Sequence, residues 1–469
     1  YDTKTNLEDV FAQTRMWDSL IYNHLLRKNI IVPQKKFKKK ISAFEGAYVK
    51  EPQIGMHDWV ASFDLNSLYP HLLIMYNISP ETIINADEYT KDMNDVLTQG
   101  VNVESLLSQK VDTKELNNVS LTPNGQFFRT TQQGFLPKMM EEMYEDRKKF
   151  KKLMIQAQKD YEKKPSKELS HLISRYNNLQ LAKKVSLNSA YGALGSQYFR
   201  FYDLRQALAV TLAGQLAIRW IENKLNGYMN NLLDTKEDYV VASDTDSIYL
   251  KLGTLVNKVF KEKPETNEVI KFMDKVCDGK IQSFIDKSYK ELADYVHAYD
   301  QKMVMKREAL ADKGVWTAKK RYILNVYDNE GVRYTTPKLK IMGLEMIKSS
   351  TPYAIREKMK ELTRIIVTKG EDEVQEFIAK FKGALLYNLQ LEKLGLEKKY
   401  PKIQSGEKLK FTYLKQPNPI KDNVLSFPTR IPKEFGLHKY IDFDTQFQKG
   451  FIEPTRFIVE CIGWEIEKT

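Results

Sequence analysis

Residues 61–70 read ASFDLNSLYP. An apolar strand, Trp59 to Phe63, reaches a carboxylate, Asp64, where the strand should end, and Tyr69 and Pro70 follow. A second stretch, YVVASDTDSIYLKL at residues 239–252, has the same form. Val240, Val241 and Ala242 make one apolar strand and Ser247 to Leu250 another, with Asp244-Thr245-Asp246 at the turn. A polar hairpin turn is one reading, since Asp is common in turns. A calcium loop is another, but the EF-hand spacing fails: position 6 would be Tyr249 and not Gly, and position 12 Leu255 and not Glu. What remains is acids presented at strand tips. If the strands are neighbours in one antiparallel sheet, the carboxylates converge, and such a cluster needs cations because unpaired acids repel. Hard divalent ions with oxygen ligands fit best, which points to Mg²⁺. Two such ions, about 3.5–4 Å apart, stabilise the attacking and leaving oxygens of an in-line displacement at phosphorus.

The rest of the chain bounds this reading. Its 469 residues can build two or three cores. With 42% apolar and 29% charged residues the composition is that of a folded, globular chain. The net charge of +12 favours a polyanion partner, nucleic acid first and an anionic membrane second; a solvated basic surface is the plainer alternative. Two distant cysteines, Cys277 and Cys461, indicate a reducing compartment and no disulfide scaffold. The longest apolar stretch, Ala207 to Ile218, is interrupted by Thr211, Gly214 and Gln215. A membrane span needs about 20 apolar residues, so this is expected to be a buried helix. No signal peptide opens the chain, which begins at Tyr1, so an upstream segment is expected to have been removed.

Residues 1–33 read as partly helical, and QKKFKKK, Gln34 to Lys40, as a solvated linker or a phosphate contact. Residues 41–133 read as strands and loops, with Asn124-Gly125 marking a hairpin. Two helices are expected next, Pro137 to Lys163 and Ser166 to Leu194, broken at Lys164-Pro165. At about 1.5 Å per residue they make an antiparallel pair roughly 40 Å long, a projecting arm more than a core. A buried helix over 203–233 follows, then the strands around Asp244, then mixed structure to Gly343. Helices dominate from Thr351 to Asn388, broken at Gly370, and 400–469, with six prolines at 401, 417, 419, 428, 432 and 454, read as irregular.

On the arm, KKVSLNSAYGALG sets Lys184, Asn188 and Tyr191 at i, i+4 and i+7, on one helical face. DRKKFKK on the opposing helix sets Arg147 and Lys151 at i and i+4. Facing cations are unfavourable unless an anion lies between them, and a triphosphate would supply it. Two solvated faces are the plainer reading of either run alone.

These residues carry a resemblance. DLNSLYP resembles the first polymerase motif of the family B DNA polymerases, KKVSLNSAYG the second and SDTDS the third, in that order. AKKRY, Ala318 to Tyr322, is similar to the Lys-x-Tyr motif that contacts the primer, and GAYVKEP, Gly46 to Pro52, to the segment that tracks the template. NISPET, FRFYDLR and KLKIMGLEMIKSSTP extend the likeness, which is to the replicative polymerases of T-even-like bacteriophages. It covers residues 15–360 well and the last hundred poorly.

The resemblance implies an α+β, right-hand architecture: an antiparallel β-sheet palm, a two-helix antiparallel fingers hairpin and a mostly helical thumb. The implied divisions are a connecting segment at 1–35, palm at 36–133 and 197–343, fingers at 134–196 and thumb at 344–469. It implies DNA-templated DNA synthesis with two Mg²⁺ ions, Mn²⁺ being able to substitute. Asp64, Asp246 and the Leu65 carbonyl would be metal ligands, Asp244 an adjacent acid with a smaller role and Glu308 an auxiliary carboxylate. Ser67 and Leu68 would offer N–H groups to the triphosphate, and Tyr69 would lie under the deoxyribose. Arg147, Lys151, Lys184, Asn188 and Tyr191 would line the nucleotide, and Lys319, Lys320, Arg321 and Tyr322 the DNA.

The implied partners are primer–template DNA, deoxynucleoside triphosphates, and a separate exonuclease subunit or sliding clamp, with no membrane; the implied location is the cytoplasm of a phage host. Departures from the pattern are shorter fingers and thumb, a C-terminal CIGWEIEKT unlike a clamp-docking tail, and no Asp-x-Glu pair before Asp64. The expectation is a polymerase portion without its exonuclease, cut from a longer chain or one half of a split enzyme. An RNA-synthesising or reverse-transcribing enzyme is the first rival, against which Tyr69 argues because a ring there closes the space for a 2′-OH. A silent DNA-binding relic is the second, against which the intact acids and Lys184 argue.

Overall fold

The computed structural model describes residues 5, 7–9, 11–35, 45–260, 264–351, 353–378, 410–418, 423–427 and 437–466. Residues 36–40 of the basic run and the 379–388 part of the expected helical region lie outside the described residues. The elements in chain order are α1 (Gln13–Arg27), β1 (Gly55–Leu65), α2 (Leu68–Met75), α3 (Lys91–Thr98), α4 (Val103–Leu107), β2 (Val119–Leu121), β3 (Phe127–Arg129), α5 (Phe135–Lys163), α6 (Lys167–Leu194) and α7 (Leu204–Leu233). There follow β4 (Val240–Asp244), β5 (Ser247–Lys251), α8 (Gly253–Val259), α9 (Thr266–Val276), α10 (Gln282–Tyr295), β6 (Met305–Ala318), β7 (Arg321–Asn329), β8 (Val332–Met342) and α11 (Tyr353–Thr368). The chain is α+β, with one six-stranded sheet in the order β4-β5-β1-β6-β7-β8.

That sheet is antiparallel. The Leu65 N–H donates to the Asp246 carbonyl (2.8 Å), and the Leu252 N–H to the Trp59 carbonyl (2.7 Å), so the end of β1 lies beside the start of β5. Likewise the Asn66 N–H donates to the Val304 carbonyl just before β6 (3.0 Å). β6–β7 and β7–β8 are antiparallel pairs.

The chain divides into two compact units, residues 1–49, 63–248 and 277–307 in the first and 50–62, 249–276 and 308–469 in the second. In the first, α7 is the central element: its buried face includes Ala207, Val210, Ala213, Gly214, Leu216, Ile218 and Ile221. α2 and α10 pack on it. In the second, Val315 and Ile323 of the sheet join Ile355, Met359 and Ile366 of α11 and Phe447, Phe451 and Ile458 in one apolar cluster.

The long helical pair forms within two residues of the expected bounds, and α7 within one. The Asn124-Gly125 hairpin is present, with Leu121 paired to Phe127 and Gly125 at φ +72°. Three expectations are corrected. Residues 41–133 hold three short helices besides strands. α3 and α4 announce themselves only by caps: Thr90 Oγ accepts from the Met93 N–H (3.3 Å), and Asn102 Oδ1 from the Ser105 N–H (2.9 Å). α2, LYPHLLIM, is buried nearly all round and so lacks the polar face that marks a helix. The residue before a proline is biased toward extended backbone, so Tyr69 is expected to be extended, yet it is helical; Pro70 falls in the first turn of α2, where its missing N–H costs nothing. Residues 443–460 are helical and not irregular, running through Phe443–Phe447, Gln448–Ile452 and Glu453–Glu460, with Pro454 coming just after the wider turn Gln448–Ile452.

Candidate active site

The first unit contains most of the expected residues. Asp64 is the last residue but one of β1 and Asp246 precedes β5, and the Leu65–Asp246 main-chain bond ties the two strand tips together. The DTD turn is held tightly. Thr245 takes φ +60°, the Asp246 N–H donates to the Asp244 carbonyl (2.6 Å), and Thr245 Oγ donates to Asp244 Oδ1 (3.0 Å). The Thr245 N–H donates to the Tyr48 carbonyl (3.0 Å), and Val49 bridges Asp244, so residues of GAYVKEP brace the acid turn.

The next element follows at once. Ser67, at φ +47° and ψ +56°, caps α2, whose first N–H groups have no helical acceptor. Such an end favours an anion. Arg147 of α5 donates from Nη1 to Ser67 Oγ (3.0 Å), while its buried Nε has no hydrogen-bond partner among the described residues. Lys184 and Asn188 are exposed and Tyr191 half-buried, as the spacing requires, with Leu187, Ala190, Ala193 and Leu194 buried on the other side of α6. Trp17 Nε1 donates to Ser189 Oγ (2.9 Å), fixing that buried face against α1. Lys183 pairs with Asp146 across the helices (2.8 Å), whereas Lys151 and Lys184 have no ion-pair partner among the described residues.

Tyr69 and Tyr191 are in ring contact, centroids 4.7 Å apart and tilted by 37°. Burial raises the Tyr69 hydroxyl above its ordinary value, and the charges of Asp246 and then Asp244 raise it further. The acid pair and this ring therefore share one electrostatic environment. Tyr191 is pushed up to about 12, by burial first and Tyr69 second.

The expected donors, Asp64, Asp246 and the Leu65 carbonyl, are all oxygen, the donor type a hard divalent cation takes. Among the described residues no group of three or more His, Cys, Asp or Glu side chains is arranged to hold a metal, so Asp64, Asp244 and Asp246 do not form the single three-acid cluster that the sequence suggests. A sparse oxygen set of this kind suits an ion that keeps water and takes substrate phosphates, as Mg²⁺ does.

The second unit holds the others. Lys320 turns at φ +61° between β6 and β7. Lys319 pairs with Glu51 (3.0 Å) and Arg321 with Glu345 (3.5 Å). Tyr322 is 7% exposed, bonded through its hydroxyl to the Tyr249 hydroxyl (2.7 Å) and stacked on Trp316. Glu308 accepts from Lys340 (2.7 Å) and from Ser62 Oγ (3.3 Å), so it is held as an ion pair. Sequence reasoning missed three supporting groups: Tyr249, the residue closing the SDTDSIY run; His71, whose Nδ1 meets the Asn66 carbonyl (2.5 Å) and whose ring meets Tyr144 of α5; and Gly214 in the apolar stretch of α7.

Residues 7–270 match DNA polymerase family B. Along its full length the chain is 32% identical to a DNA-directed DNA polymerase of Enterobacteria phage T4 and 31% identical to one of Escherichia phage RB69. It is 25% identical, over 82% of its length, to the DNA polymerase delta catalytic subunit of Dictyostelium discoideum. The chain covers 61% and 60% of the two phage proteins, about three fifths of their length. The chain belongs to DNA polymerase family B.

Proposed function

We propose that this chain is a DNA-templated DNA polymerase that adds deoxynucleotides to a primer 3′ end and releases pyrophosphate, in phage-type genome replication. The observation that carries the reading is the Leu65–Asp246 bond. It joins two acid-bearing strand tips immediately before a helix start, with Arg147 bonded at that start. In this reading the sheet is the palm, residues 134–196 are the fingers and 344–469 the thumb.

Asp64, Asp246 and the Leu65 carbonyl would hold two Mg²⁺ ions. When bound, these supply positive charge at the attacking and leaving oxygens of the displacement at phosphorus. The chain's own groups do the rest. The Ser67 and Leu68 N–H groups donate to phosphate oxygens at the start of α2. Arg147, Lys151, Lys184 and Asn188 grip the triphosphate from the α5–α6 pair, and Lys184 offsets charge that grows on departing pyrophosphate. The Tyr69 ring lies against the sugar and leaves no room for a 2′-hydroxyl. Lys320 and Tyr322 hold the primer terminus, with contacts to its backbone fixing position and not sequence.

Primer extension with Mg²⁺ tests the reading. Asp64→Asn and Asp246→Asn are expected to abolish extension while primer–template binding persists, and Asp244→Asn to be milder. Extension by Asp246→Asn within about tenfold of wild type would refute the assignment, because losing a ligand of a shared site removes the charge both oxygens need.

A further inference from the structure

The buried face of α7 runs alongside α2, and at one position it has no side chain. An ideal Cβ on Gly214 would lie 3.3 Å from Tyr69 Cε1, 3.5 Å from Leu72 Cδ1 and 3.6 Å from Leu68 Cδ2. The leucine distances are ordinary contacts. The distance to Tyr69 is tighter than side chains normally accept, so a methyl group there would displace the ring by a few tenths of an ångström. Relief is limited, because Tyr191 flanks the same ring at 4.7 Å. The Leu68 and Leu72 side chains are buried and tie α2 to its place. A methyl group on α7 would therefore push the ring away from that helix.

We propose that Gly214 determines sugar specificity: by carrying no side chain it sets how far the Tyr69 ring stands off α7, and so the depth of the pocket for the deoxyribose. Glycine's backbone freedom plays no part, since Gly214 is in ordinary helix, where alanine is the better helix former. Its cost to the helix is offset by the room it leaves for the ring. The inference rests on the reading of Tyr69 as the residue that excludes ribonucleotides.

The test is the ratio of kcat/KM for dATP to that for ATP in four proteins: Gly214→Ala, Tyr69→Ala, Tyr69→Phe/Gly214→Ala and Tyr69→Ala/Gly214→Ala, with thermal unfolding of each. Since a displacement of about 1 Å costs about 10²-fold, Gly214→Ala is expected to raise the KM for dATP roughly three- to tenfold. The ratio should rise as well, because the tighter pocket penalises ATP more. The same effect is expected in the Tyr69→Phe background, as the contact is made by Cε1 and not by the hydroxyl, and none in the Tyr69→Ala background. A folded Gly214→Ala protein with unchanged or lowered ratio, while Tyr69→Ala alone collapses the ratio, overturns the role of Gly214 and leaves Tyr69 standing. An unchanged ratio in Tyr69→Ala overturns both. An effect of Gly214→Ala that persists without the Tyr69 ring also overturns the proposal, since it would then act through packing of the helix.

Discussion

Lys184 stands on the exposed face of α6 without an ion-pair partner among the described residues, while its neighbour Lys183 is engaged by Asp146. Two adjacent lysines thus have different duties: one ties the helices together and the other is left available for an anion. Lys184→Ala is expected to raise the KM for nucleotide and lower kcat, with a combined loss of about 10²-fold, typical of removing one strong electrostatic donor. Unfolding temperature should hardly change, because an exposed lysine contributes little to stability. Unaltered nucleotide kinetics would show that this lysine serves only the helix surface. Lys183→Ala should show the converse, a small loss of stability with modest kinetic change.

At the scale of the element, β6 carries an acid in an unusual place. Asp312 falls where the β6–β7 register shifts between Ala311 and Gly314, and the Asn325 amide donates to it (2.9 Å). Burial pushes its carboxyl up to about 6, against the opposing effects of Asn325 and of Lys313. The folded protein therefore binds this proton more tightly than the unfolded chain. The group favours folding below the ordinary carboxylate range, and that contribution is lost as the pH rises from about 4 through 6. Asp312→Asn keeps an acceptor for Asn325 and removes the buried charge. It is expected to stabilise the protein by about 1–3 kcal/mol at pH 7.5 and by almost nothing at pH 4. Thermal unfolding across that range checks it, and a destabilised variant at pH 7.5 would mean that the carboxylate's own bonds outweigh its burial. The long pair α5–α6 follows a different rule: the Ser166 cap on α6 and a clear break at Lys164-Pro165 mark its turn before any tertiary contact does.

At the scale of the whole chain, a net charge of +12 has a measurable consequence. Primer–template binding should weaken steeply with salt, because each phosphate neutralised by Lys or Arg releases counterion. For roughly four phosphate contacts, affinity should fall about 10²-fold between about 50 and 200 mM salt. A fall of less than about twofold would mean that the basic surface is only solvated and that DNA is held by other means. Among the described residues no helix is long and apolar enough to cross a membrane, which agrees with reading Ala207 to Ile218 as a buried helix.

The acids, the arm and the family were legible in the sequence because each rests on a local rule. Strand tips follow from apolar runs that end in Asp, the face shared by Lys184, Asn188 and Tyr191 from helical spacing, and the arm's limits from Ser166 and Pro165. The short helices of 41–133 were not legible, since eight residues span little more than two turns and α2 has no polar side to betray it. Nor was the helical conformation of Tyr69, because a proline's effect depends on whether its missing N–H would have found a partner. The placement of residues distant in sequence was decided by the tertiary structure alone. Leu65 meets Asp246 because β1 and β5 are neighbours, Arg147 meets Ser67 because α5 passes the start of α2, and Gly214 meets Tyr69 because α7 packs on α2. A sequence states which groups are present and how neighbours along the chain are spaced. Contacts across 80 residues and more are settled by which apolar faces exclude water together, and that is a property of the packed chain and not of any one stretch of it.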